Sequence, residues 1–142
     1  IVNRGVSGNA GLFSTAEDLA VIASMLMNKG VIRINKDGLQ GRVGAGERVR
    51  VLSEATVESM MHAPKGFDEH GRTIGWVDGC FGDLASEESI NHTGYTGTSM
   101  TIDAENGVAV ILLSNRVHPV DDGSLARLRA TVENIVLAAL DK

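Results

Sequence analysis

A lone cysteine, Cys80, excludes an internal disulfide, so packing and hydrogen bonds must hold this chain together. Aromatic residues are scarce: one Trp, one Tyr and three Phe. Positive charge is also short, with 13 Lys and Arg against 18 Asp and Glu for a net charge of −5. No basic patch stands out, which argues against a nucleic-acid partner. No uninterrupted apolar run exceeds six residues, as at Val108–Leu113. That is far short of the roughly 20 residues that span a bilayer, so no membrane span is expected. His62, His70 and His118 lack metal-ligand spacing, and neither a metal nor a cofactor is expected. No signal peptide is visible, and the first residues are Ile-Val-Asn without an initiator methionine, which points to a truncated or processed start.

What is present suits one domain. The 142 residues are 43% hydrophobic, enough for a real core. "GLFSTAEDLAVIASMLMNKG" carries Ser14 and Glu17 at capping-box spacing, then Leu19, Ile22, Ala23 and Leu26 at helical spacing, and predicts a helix over about 15–28 that stops at Gly30. Residues 31–51 read as a hairpin with a long glycine-rich tip or as a variable insertion. A second capped helix runs from Ser53 to about His62, closed by Pro64, and "GRTIGWVDG" is a short strand. "GYTGTSMTIDAENGVAVILLSN" makes a hairpin turning at Glu105–Gly107. A last helix over about 124–140 is capped by Ser124, with Leu125, Leu128, Val132, Ile135 and Ala139 as its buried stripe. This order implies an α+β fold, an antiparallel sheet covered by helices. The wholly apolar strand 108–114 should be central with both faces covered, yet only residues 98–103 are an obvious partner.

"GNAGLFSTAEDLA", "NHTGYTGTSMTID" and "VAVILLSNRVHP", in that order, resemble the C-terminal half of the serine β-lactamase and penicillin-binding-protein-like hydrolases, and most closely the class C β-lactamase-related esterases and peptidases. The resemblance covers nearly the whole chain and implies a partial β-lactamase/transpeptidase-like fold with 1–142 as the C-terminal portion of a catalytic domain. In that family a serine nucleophile lies in an S-x-x-K motif. A Tyr-x-Asn or Ser-x-Asn motif supplies a second group, and a Lys-Thr-Gly or His-Thr-Gly strand walls the cleft. His92-Thr93-Gly94 matches that third motif. The resemblance then gives the Tyr95 amide the role of oxyanion donor. Gly94 would let substrate lie against the backbone, and Thr93 would offer a hydroxyl to a substrate carboxylate or carbonyl. His92 stands where many relatives carry lysine and can donate or relay a proton without a fixed charge. Arg116 and His118 follow the apolar strand where relatives place a substrate-facing loop. They are candidate substrate contacts, with loop packing as the alternative.

The departures are specific. None of the ten serines has lysine three positions later. Ser7-Gly8-Asn9 fits Ser-x-Asn literally but sits in a block aligned elsewhere, and no G-x-S-x-G elbow occurs. The expectation is half of a serine hydrolase acting on an amide or ester, such as a peptidoglycan-like peptide or a β-lactam, with the nucleophile outside this chain. The alternative is a non-catalytic binding or scaffold domain that keeps the fold. The expected partners are the N-terminal portion of the same protein, or a second copy, and a small-molecule or peptide substrate. The resemblance favours a location outside the cytoplasm. Trp76 is expected in the core, Met25, Met27, Met60 and Met61 in helix packing, and Cys80 is expected to be inert.

Overall fold

The computed structural model describes residues 10–34, 46–62, 71–121 and 123–140. Ser7-Gly8-Asn9, the hairpin tip at 35–45, Pro64 and His70 lie outside those residues. The order is α1 (Ala16–Met27), β1 (Val31–Ile34), β2 (Glu47–Arg50), α2 (Glu54–Met61), β3 (Val77–Asp78), β4 (Ile90–Thr93), β5 (Ser99–Asp103), β6 (Val108–Leu112) and α3 (Ala126–Ala138). β1 and β2 form a two-stranded antiparallel ribbon, and β3-β4-β5-β6 form a four-stranded sheet whose neighbouring strands are all antiparallel. The fold is therefore α+β, and among the described residues no helix is long and apolar enough to cross a membrane.

The helix starts show what the local sequence decides. Thr15, not Ser14, caps α1: its Oγ1 accepts from the Asp18 amide at 3.2 Å. Thr15 and Asp18 repeat the three-residue spacing of Ser14 and Glu17, and Thr15 has the extended backbone that a cap requires. Ser53 caps α2 through the Thr56 amide at 3.1 Å. α3 begins at Ala126 with Leu125 at the cap position, one residue later than a Ser124 cap implies, although Ser124 Oγ still accepts from the Ala126 amide at 3.2 Å.

One face of the sheet meets α1 and α2. Ile90, Met100 and Ile102 pack with Ala23, Leu26, Val57 and Met61, and Trp76, Ala109 and Ile111 join from the margin. The register explains the shared face, since Ile90 lies opposite Ile102 and Met100 opposite Ile111. The wholly buried strand is β5, not β6. β6 is half-buried along its length and sits at the sheet's edge, because 77–78 pairs with β4 at the opposite margin. Among the described residues the outer side of β6 has no strand partner.

α3 turns an unexpected face inward. Glu133 and Leu137 are its buried residues, while Leu128 and Ile135 are 42% and 63% exposed. The loop after β3 explains the rotation. Glu133 Oε2 accepts from the Phe81 and Gly82 amides at 2.7 and 2.9 Å, and Asn134 Oδ1 from the Asp83 and Leu84 amides at 2.8 and 3.3 Å. Four consecutive amides thus find acceptors on two adjacent side chains. The Phe81 and Gly82 amides are part-buried, and leaving such a group unpaired costs about 1–3 kcal/mol, comparable to exposing an apolar side chain.

Asp103 closes the β5–β6 turn. Its carboxylate accepts from Ser86 N and Oγ at 2.9 and 2.8 Å, and from Asn106 N and Nδ2 at 3.1 and 2.7 Å. Burial pushes this carboxyl up, but the hydrogen bonds from Asn106 and Ser86 outweigh it and hold it below the ordinary aspartate range. A lowered pKa in the fold means stabilisation that is complete above about pH 4 and lost as pH falls through the folded value. Asp103→Asn sets an amide NH₂ against donors and should cost about 2–4 kcal/mol at neutral pH. The gap from the parent should narrow below about pH 4. Denaturant unfolding at pH 7 and pH 3.5 checks both.

Candidate active site

β4 ends at Thr93 and β5 begins at Ser99, so residues 94–98 form the connecting turn. Gly94 N donates to Thr98 O at 2.8 Å and Gly97 N to Gly94 O at 3.1 Å. The β5–β6 register sets Ser99 opposite Leu112, and the segment that follows β6 runs on beside the turn. Ser114 Oγ donates to Gly97 O at 2.7 Å, and the Arg116 amide donates to Thr96 O at 2.8 Å. Arg116 Nε donates to Tyr95 O at 3.0 Å. From α3, Arg129 Nη2 reaches Gly97 O and Thr98 O at 3.4 and 3.3 Å.

Every carbonyl from Gly94 to Thr98 therefore accepts a hydrogen bond. The amides of Tyr95 and Thr96, by contrast, have no acceptor among the described residues. A turn whose carbonyls are all engaged while two successive N–H groups are free carries a local excess of positive potential. Such preorganised donors can stabilise an oxyanion as it develops.

His92 and Thr93 are exposed, Gly94 is half-buried, and Tyr95 is 77% exposed. The four thus present one continuous accessible stretch at the end of β4. The Trp76 indole meets the His92 imidazole edge-on, with ring centroids 6.4 Å apart at 90°. Trp76 packs against the core margin as expected and also touches the motif. The Thr93 hydroxyl has no partner among the described residues, so it is available to a ligand.

Arg116 joins the motif, but through the turn. Its guanidinium carbon lies 4.9 Å from the Tyr95 ring centroid, and Nη1 pairs with Asp121 and donates to Gly123 O at 2.9 Å. His118 is exposed, and no hydrogen bond, ion pair or ring contact joins its side chain to residues 92–95. Ser114, Asp121 and Arg129 are absent from the sequence expectations. Extending the hairpin past Leu112 brings residues 114–116 beside the turn, where Ser114 reaches Gly97 O and Arg116 reaches Thr96 O and Tyr95 O. No local signal marks Arg129, which arrives from a helix more than thirty positions away. Burial, and then the nearby Glu133 carboxylate, push the Cys80 thiol up, which suits an inert cysteine. Among the described residues no three His, Cys, Asp or Glu side chains gather as a metal site requires.

A family model described as Beta-lactamase matches residues 2–134. The chain belongs to the beta-lactamase family. It is 38% identical over 126 residues to a candidate D-alanyl-D-alanine carboxypeptidase of Escherichia coli O157:H7, covering 83% of this chain and 25% of that protein. It is 33% identical over 126 residues to an N-acetylmuramyl-L-alanine amidase of Bacillus subtilis strain 168, with the same shares covered. The chain thus spans about a quarter of the length of these curated relatives. The α+β sheet described above is a partial β-lactamase-like fold.

Two glycines shape the turn of this beta-lactamase-family chain differently. A β-carbon at Gly94 would first meet Thr98 Oγ1, the end of a side chain that can rotate away. Crowding at Gly94 thus has a source inside the turn as well as in any substrate. Gly97, at φ +128°, would press a β-carbon against Ser114 O at 2.9 Å and Arg116 N at 3.1 Å, both backbone. Gly97→Ala should destabilise the fold by about 2 kcal/mol or more, while Gly94→Ala should cost clearly less. Parallel thermal melts of the two variants order them.

Proposed function

We propose that this chain is the C-terminal part of a serine hydrolase that opens amide or ester bonds through an acyl-enzyme, with the nucleophile on a segment outside it. The observation that carries this reading is the turn after His92-Thr93-Gly94, where the carbonyls are engaged and the Tyr95 amide is free. An acyl-transfer site needs that donor pattern, because negative charge collects on the former carbonyl oxygen. His92 donates or relays a proton to the reacting group, and Thr93 holds a substrate carboxylate or carbonyl. The names of the relatives favour a peptidoglycan-type peptide, with β-lactams and esters as substrates of the same chemistry.

The polypeptide that includes the nucleophile should be labelled by a serine-directed acylating probe, whereas the 142-residue chain should not be, since none of its serines has a lysine three positions on. His92→Ala in that polypeptide should lower kcat/KM by about 100-fold or more. Unchanged kinetics would make the motif structural, and a parent that takes no probe would favour a binding or scaffold domain.

The same reading gives the outer side of β6 and the apolar face of α3 an occupant, the nucleophile-bearing portion of the polypeptide. Leu113 is 50% exposed at the end of β6, next to α3 with its uncovered Leu128 and Ile135. Open apolar edges recruit other chains. The isolated chain should sediment as dimers or larger species at high micromolar concentration. Co-expression with the remaining portion should give a one-to-one complex, and a well-folded monomer would refute this.

A further inference from the structure

We infer that Arg116 is a positioning residue that aims the Tyr95 amide, held in place by Asp121, rather than a group that touches substrate. This inference rests on the hydrolase reading above. Arg116 divides its guanidinium between two loops. Nε donates to Tyr95 O at 3.0 Å, while Nη1 donates to Gly123 O at 2.9 Å and pairs with Asp121. The guanidinium carbon also lies over the Tyr95 ring, 4.9 Å from its centroid. The side chain is only 18% exposed, so its donors are committed inward.

The peptide unit that Arg116 holds is the one following the Tyr95 amide. Fixing Tyr95 O on one side, with the Gly94 carbonyl fixed by Gly97 N on the other, leaves the Tyr95 N–H little freedom to swing. An oxyanion donor is effective only when it is already pointed at the charge before the charge forms. The backbone bond from Arg116 N to Thr96 O persists whatever side chain stands at 116, so removing the guanidinium loosens the Tyr95–Thr96 peptide, and through the Tyr95 backbone the amide before it, without dismantling the turn. Asp121, 43% exposed at its side chain, keeps the fork from rotating away from Tyr95. Lysine at 116 has a single ammonium and cannot serve Tyr95 O, Asp121 and Gly123 O together.

The test uses the full polypeptide with its nucleophile, a fluorescent penicillin as acylating probe and a chromogenic ester for turnover. Arg116→Ala should lower kcat and the acylation rate about 10- to 100-fold with KM within about twofold, the pattern of an interaction used only in the transition state. Arg116→Lys should recover little, whereas millimolar ethylguanidinium should restore part of the Arg116→Ala rate. Asp121→Asn should act in the same direction but less, and the Arg116→Ala/Asp121→Asn pair should be no worse than Arg116→Ala alone. Should Arg116→Ala fail to fold, Asp121→Asn carries the same kcat-against-KM comparison. A rise in KM with kcat preserved would overturn the inference in favour of direct substrate contact. Wild-type acylation of Arg116→Ala would also overturn it and leave the hydrolase reading intact. A wild-type protein that takes no probe would overturn the hydrolase reading and this role with it.

Discussion

The register of the β5–β6 hairpin governs almost everything at the site. Asp103 collects four donors from Ser86 and Asn106 and so closes the turn at one length. That length sets Ser99 opposite Leu112. Past the strands, Ser114 reaches Gly97 O and Arg116 reaches Thr96 O and Tyr95 O. A slip of one residue would send Met100 and Ile102 to the wrong face. A buried carboxylate at one end of the hairpin thus decides which donors meet the turn at the other.

Much of this was legible in the sequence because the signals were local. Capping pairs, period-3.6 apolar spacing and the Asn106-Gly107 turn found three helices and the hairpin, with ends off by one or two residues. The misses share a cause. α3 was assigned the inward face that its leucines and isoleucine suggest, but the amides of residues 81–84 needed acceptors, and Glu133 and Asn134 supplied them. Periodicity counts apolar surface and does not register the hydrogen-bond demand of a loop some fifty positions away. β6 looked central because it is the most apolar strand, yet strand order depends on which segments are available to pair, and 77–78 went to β4.

The motif itself was visible as a string, His92 to Tyr95, but its physical character was not. The distinction between engaged carbonyls and free amides emerges only when the loop after β6 and the far helix are brought against the turn. Two arginines end there, from different elements. Arg116 binds the turn to Asp121 and Gly123, and Arg129 reaches the turn from α3 while stacking over Phe81. Arg129 and Glu133 stand one helical turn apart, so α3 secures two separate loops from one face.

Trp76 brings an optical consequence. It is the sole tryptophan of the chain, and its ring edge rests against His92. Emission from this chain is therefore a signal from one place, the margin of the candidate site, with no second indole to dilute it. Whatever changes the charge, hydration or tilt of that imidazole changes the environment of the reporting ring. Occupancy of the site can thus be followed by light, without a label and without turnover.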